Sequence, residues 1–207
     1  MKIKVQAWLS YVVILLPMVY GIWNYRALPN LMATHFGGSD LHPDGFMTKP
    51  VAVFGLPLLM IAIQLFSVTM THLNAKHKGA APRFERVVIW IVPLIAVVTY
   101  TMTIAYNLGH LVDIWRISIS MVGVVFIAMG NYLPTVSATA YQRMHRGFNL
   151  HPEAWQYWKY RFAYLLVGSG VLLLLSILTV PMVSAVIIGV VVVAMLTMSL
   201  IGLIRAR

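Results

Sequence analysis

Leu28-Pro29-Asn30-Leu31-Met32-Ala33-Thr34-His35-Phe36-Gly37-Gly38-Ser39-Asp40-Leu41-His42-Pro43-Asp44-Gly45 lies between two runs, residues 5–23 and 51–71, that contain no charged side chain. That contrast decides the fold. The chain has only five carboxylates and seven histidines, and two of each fall between His35 and Asp44. The flanking runs are apolar enough to lie in lipid, so the scarce ionisable groups collect where the chain leaves it.

The same reading extends outward along the chain. A hydrocarbon core about 30 Å thick needs roughly 20 apolar residues per helix. Six runs approach that length: residues 5–23, 51–71, 87–108, 117–133, 162–180 and 182–204. Sixty per cent apolar residues, ten per cent charged and a mean hydropathy of +0.84 exclude an ordinary soluble domain. Lys2 and Lys4 precede the first run as in a secretory signal, but Val19-Tyr20-Gly21-Ile22-Trp23 lacks a small-x-small cleavage pattern. It is expected to remain as a helix. The last two runs meet at Thr179-Val180-Pro181-Met182. One helix over 162–204 would be about 60 Å long, roughly twice the bilayer core. Pro181 has no N–H and disfavours helical geometry at Val180, so a tight hairpin is expected there. The expectation is an all-α membrane protein, a single integral-membrane domain over 1–207. It has six transmembrane helices and a structured extracellular loop between the first two. With no cysteine, disulfides and thiol chemistry are excluded.

The charges orient the helices. Lys2, Lys4, Lys76, Lys78, Arg83, Arg86, Arg143, Arg146, Lys159, Arg161, Arg205 and Arg207 share one side if six helices alternate; only Arg26, Lys49 and Arg116 take the other. A Lys/Arg excess marks the cytoplasmic side, which puts both termini inside and the opening segment outside. The net charge of +10 is then a topology signal and a contact with anionic lipid, not a nucleic-acid footprint.

Pro29, Gly37-Gly38, Pro43 and Gly45 break helix and strand alike, so residues 28–49 are expected to form a loop of turns. Its apolar members, Leu28 and Phe36 among them, should fold it back onto the helix ends. The second outer loop, 107–116, carries His110 and Asp113, which share a face if 108–115 is helical. With His35, Asp40, His42 and Asp44 they make an outer cluster. His35, Asp44, His110 and Asp113 are the candidate ligands for a divalent metal, since imidazole and carboxylate suit zinc and its neighbours. Turn-capping, or recognition of a peptide or lipid, are the alternatives.

Within the spans Gln64, Asn107 and Asn131 are the polar residues that lipid penalises most. Gly123 and Gly130, and Gly168-Ser169-Gly170, put small residues where helices can pack closely; Pro134 should end the fourth helix. The inner loop 137–161 joins Tyr141, Phe148, Trp155, Tyr157, Trp158 and Tyr160 to Arg143, Arg146, Lys159 and Arg161. These are headgroup-level anchors or a docking surface for a cytoplasmic partner. His151-Pro152-Glu153 resembles a helix start, with the following segment lying at the interface before the fifth span.

Two of these stretches together resemble the bacterial SdpI immunity protein family. Its members often begin with a module whose outer loop reads L-P-x-x-x-x-x-H-F, a small-residue turn, then P-D-G. Here Leu28-Pro29, His35-Phe36 and Pro43-Asp44-Gly45 match it. The family's later G-N-Y-x-P element is matched by Gly130-Asn131-Tyr132-Leu133-Pro134, and its W-x-x-x-x-R-F segment by Trp155 or Trp158 before Arg161-Phe162. The likeness covers about residues 10–180, with the module at about 10–65 and an SdpI-like region at about 115–185. Residues 141–148 depart from the family's I-R-T-P-W-like run.

The resemblance implies a protein of the bacterial inner membrane that protects against a membrane-active peptide toxin. It also implies signalling, by holding a repressor at the cytoplasmic face. The expected partners are therefore membrane lipids, an extracellular peptide toxin and a cytoplasmic repressor, with no direct nucleic-acid contact and no cofactor. Two other classes compete. A metal-assisted hydrolase at the outer surface would use the His/Asp set with Asp44 as general base. A small transporter would need a central ionisable pair or an inverted repeat, and the chain shows neither.

Overall fold

The computed structural model describes residues 3–37, 42–75, 81–139 and 152–205. Helices α1 (Ile3–Leu15) and α2 (Met18–Trp23) lead to strands β1 (Leu31–Gly37) and β2 (His42–Thr48). A π-helical turn (Val51–Gly55) opens α3 (Leu56–Ala75), which is followed by α4 (Pro82–Asn107), α5 (Ile114–Tyr132) with a 3-10 turn (Leu133–Thr135), α6 (Pro152–Ser176) and α7 (Pro181–Arg205). Among the described residues, six segments are long and apolar enough to cross a membrane: Val5–Trp23, Val51–Leu73, Pro82–Asn107, Ile114–Thr135, Trp155–Ser176 and Pro181–Ile201. The six-helix expectation holds, including the break before Pro181.

Two expectations need correction. Residues 31–37 and 42–48 are not a string of turns but an antiparallel two-stranded sheet. The strand survives its breakers because they sit where they do least harm. Pro29 precedes β1, and Pro43 lies at the start of β2, beside an irregularity in the ladder at His35, where a missing N–H is tolerated. The second correction concerns Pro152 onward. No turn separates it from the fifth span; one helix of 25 residues runs unbroken from Pro152 through that span.

The chain divides into two compact units. The first holds Met1–Thr69 and Ile89–Met121. Its spans are rich in proline, and proline inside a helix frees the carbonyl four residues back. In lipid such a carbonyl must be satisfied by protein. Pro93 cannot donate to Ile89, and the Gln64 side chain of α3 donates Nε2–H to the Ile89 carbonyl at 3.0 Å. The same amide donates to Ser10 Oγ at 2.7 Å, and Ser10 donates to the Ala7 carbonyl at 2.7 Å. Gln64, flagged in the sequence as a polar liability, thus repairs a helix other than its own.

Pro57 likewise cannot donate to Val53, and the register slips to π, with the Leu56 N–H on the Val51 carbonyl. The Tyr100 hydroxyl of α4 donates to the Val53 carbonyl at 3.1 Å. Tyr100 fits because residue 21 is glycine: a Cβ there would run into the Tyr100 hydroxyl and sit 3.3 Å from Ile104 Cδ1.

Tyr100→Phe should cost about 1–3 kcal/mol by leaving the Val53 carbonyl without a donor. Gly21→Ala should destabilise by crowding that hydroxyl. The double variant should lose less than the two singles added together, since each relieves or removes the same contact. Thermal unfolding of the purified protein in one detergent measures all four corners of the cycle.

The second unit holds Met70–Val88 and Val122–Arg207. Here α5 and α6 approach backbone to backbone: a Cβ on Gly170 would lie 2.6 Å from the Gly123 carbonyl oxygen, and one on Gly130 2.8 Å from that of Ala163. The small-residue packing read from the sequence is what joins them. The α6–α7 hairpin is tied at its tight end by Ser176 and Ser184, hydroxyl to hydroxyl at 2.7 Å.

Candidate functional site

The β1–β2 hairpin is where the sequence clustered its chemistry, and the first unit holds it against the helix ends in three ways. Leu28 and Met32 are buried with Ala52, Val53, Tyr100 and Ile104, so the hairpin's apolar side completes the core beneath it. Phe36 packs edge-to-face on Tyr106, centroids 4.8 Å apart. The third contact is polar and more specific. Asn107, the last residue of α4, accepts from the Ala33 N–H at 2.8 Å and donates to the Ala33 carbonyl at 2.8 Å. Its amide does what a residue of a third strand would do. A further hydrogen bond to the Thr103 carbonyl at 2.8 Å fixes the side chain.

The ladder shows which backbone groups this leaves over. The Lys49 N–H bonds to the Asn30 carbonyl at 2.9 Å, so residues 30 and 49 face each other across a hydrogen-bonded pair. Hydrogen-bonded and open pairs alternate, which makes Leu31–Thr48 and Ala33–Phe46 open pairs whose N–H and C=O point away from the partner strand. On β1 Asn107 occupies that edge. On β2 the outward groups of Phe46 have no partner among the described residues, and the strand is exposed except at the half-buried Pro43 and Gly45. Phe46 is 52% exposed and Met47 38%.

Farther out on the hairpin, His35 Nδ1 lies 2.5 Å from Asp44 Oδ1, an exposed pair. Gly45 stands opposite His35 and has to be small, because a Cβ there would come within 2.7 Å of the His35 Cβ. Lys49 closes the base, donating to the Tyr25 carbonyl at 3.2 Å with its ammonium 5.1 Å from the Tyr25 ring centroid. Leu28, His35, Phe36, Pro43, Asp44 and Gly45 therefore belong to one folded element, with Pro29 exposed at its entry.

The wider His/Asp set does not assemble. Gly109, at φ 84°, ends α4, and the His110 N–H bonds back to the Ala105 carbonyl at 3.1 Å in a Schellman-type cap. Residues 110–113 are not helical, so His110 and Asp113 do not share a helical face. Asp113 instead caps α5, accepting from the Arg116 N–H at 3.0 Å and from Arg116 Nη1 at 3.0 Å. Among the described residues no three His, Cys, Asp or Glu side chains come together to hold a metal ion. Of the four proposed ligands, only His35 and Asp44 are in direct contact, and Asp113 is engaged with Arg116. Asp40 lies outside the described residues, and His42 is exposed at the start of β2.

The second motif sits in the other unit. Trp155 is buried and donates its indole N–H to the Val136 carbonyl at 3.0 Å, in a cluster with Ala81, Phe84, Leu133 and Ala138. Pro134 lies in the 3-10 turn that brings Val136 to it, and Gly130 packs on α6. Trp158 is also buried, whereas Asn131 and Tyr132 are exposed. The Arg161 guanidinium lies 4.1 Å from the Tyr157 ring centroid and 5.5 Å from that of Trp158. Trp155 is thus a core residue, not a headgroup anchor. Tyr141, Arg143, Arg146 and Phe148 of the inner loop lie outside the described residues.

Comparison with known proteins reaches the first of these sites. The model of a family described as a domain of unknown function, DUF1648, matches residues 12–61. That segment contains most of the first span, the whole hairpin and the π-helical start of the second span. No curated protein and no solved structure matches the chain.

Proposed function

We propose that the protein is an immunity or receptor-type protein of the SdpI kind, in which the docked hairpin engages a membrane-active peptide outside the cell. The observation that carries this reading is the hairpin itself. The residues of the L-P…H-F…P-D-G pattern fold into one anchored element, and its β2 edge offers the Phe46 N–H and C=O beside the exposed Phe46 and Met47 side chains. An open edge of this sort is met by an extended peptide, whose main chain supplies the complementary donor and acceptor. The DUF1648 match supports the same reading, for that domain is found in membrane proteins and often stands beside SdpI-type proteins. The basic residues, twelve of fifteen on one side if six helices alternate, support a reading with both termini in the cytoplasm and the hairpin outside. Signalling to a cytoplasmic repressor would use the opposite side, and requires the peptide to favour one state of the protein over another.

The test is survival of sensitive cells challenged with a panel of membrane-active peptide toxins. Expression of the chain should protect against one class, and Phe46→Pro, which removes the outward N–H, should abolish protection while the protein still reaches the membrane. Equal killing with and without the chain across the panel would defeat the proposal.

A further inference from the structure

We propose that the exposed face of α6 is a binding site for an anionic phospholipid, with Arg161 holding the phosphate. This inference goes beyond the peptide reading and does not rest on it. Exposure along α6 follows the helical repeat: Tyr157, Arg161, Tyr164, Gly168, Val171 and Leu175 form one outward stripe. At its head, Arg161 is stacked against the rings of Tyr157 and Trp158, and among the described residues these rings are its only partners. Stacking satisfies the face of a guanidinium and leaves the N–H groups on its edge unused. Five N–H donors in a planar fork match a phosphate, which accepts two in parallel.

The chain cannot supply that anion widely from within. Fifteen Lys and Arg face five Asp and Glu, so most cations must be matched from outside the protein. Arg161 stands six residues into a span that begins at Trp155, which places it where an apolar helix meets a charged surface.

Below the arginine the stripe changes character in the order a lipid does. Tyr164 is 75% exposed, an aromatic body with a polar tip. One turn on, a Cβ built on Gly168 would meet nothing within 4 Å, leaving a notch in the helix surface. Val171, Leu172 and Leu175 follow at 44%, 53% and 58% exposure. From Arg161 to Val171 is about 15 Å along the helix, half of a hydrocarbon core roughly 30 Å thick. One leaflet's lipid therefore spans guanidinium, phenol, notch and aliphatic surface in sequence.

The full-length protein in phosphatidylcholine nanodiscs, titrated with phosphatidylglycerol and separately with inorganic phosphate, tests this. Phosphatidylglycerol should raise Tm saturably, phosphatidylcholine should not compete, and free phosphate should have no effect. Arg161→Gln should weaken phosphatidylglycerol binding roughly fivefold, the share of one basic residue near a membrane surface. Arg161→Lys should keep part of the binding, and Arg116→Gln, on a different helix, should leave it unchanged. Gly168→Leu fills the notch without touching a charge, is tolerated by the fold because its Cβ meets nothing, and should also weaken binding. Unchanged binding in both Arg161→Gln and Gly168→Leu would overturn the proposal. So would an equal response to free phosphate, which would make the site one for a soluble anion, or an equal response to phosphatidylcholine.

Discussion

Asn107→Asp is expected to undock the hairpin while leaving the six helices inserted. The change is almost isosteric, yet it puts a carboxylate oxygen where Nδ2 now donates to the carbonyls of Ala33 and Thr103, each at 2.8 Å. Two attractive contacts become repulsive, and Ala33 is 4% exposed, so water does not easily replace them. A partly buried polar group left without its partner costs about 1–3 kcal/mol, and here two carbonyls are affected. We expect a loss of about 2–5 kcal/mol in the free energy that holds β1 down. Hydrogen exchange reads this directly. Amides of residues 31–36 should lose protection in Asn107→Asp, while those of α6 and α7 stay protected. Asn107→Leu should be milder than Asp, because it removes the hydrogen bonds without adding a charge. Protection of β1 equal to that of the parent protein would show that Leu28, Met32 and Phe36 alone hold the hairpin.

Gly170→Val should have an effect of similar size in the second unit. A Cβ at this position would meet main chain, the Gly123 carbonyl oxygen at 2.6 Å and the Ile127 nitrogen at 3.0 Å. Main chain cannot rotate away as a side-chain tip can, so α5 and α6 would have to separate. Overpacking costs about 1–3 kcal/mol, and contact between two backbones belongs at the upper end of that range. Gly168→Val provides the control on the same helix, since its Cβ would meet nothing within 4 Å. In detergent, Gly170→Val should lower Tm and Gly168→Val should leave it near the parent value. Equal Tm values for the two would mean that the close approach at Gly123 and Gly170 contributes nothing to stability.

Helix number, the break at Pro181 and the small-residue contacts were legible because each rests on local composition or on a helical repeat. The hairpin was half legible. Its position between the first two spans follows from polarity, but Pro43 and Gly45 argue locally against a strand. What overrides them is tertiary: Met32 buried in the core and Ala33 bonded to a side chain 74 residues away. Asn107 could be singled out as costly in lipid, not as a clamp, because nothing near it in sequence names Ala33. The metal set failed for a nearer reason. It needed a helix through Gly109, and glycine is the residue that ends one. Asn131 drew attention as a polar residue in a span, yet it is exposed, and the packing at that level belongs to its neighbour Gly130.

The repairs made around the prolines carry a consequence for how the chain is made. The Ile89 carbonyl takes its hydrogen bond from Gln64, 25 residues earlier, and the Val53 carbonyl from Tyr100, 47 residues later. Ala33 waits for Asn107. Synthesis runs from the N-terminus, so the first two spans enter the bilayer before their partners in the third exist. A ribosome stalled before residue 100 would leave two inserted helices with an uncapped carbonyl and a hairpin without its clamp. The third span is therefore the keystone of biogenesis: only its arrival lets the earlier segments settle and gives the hairpin its final footing.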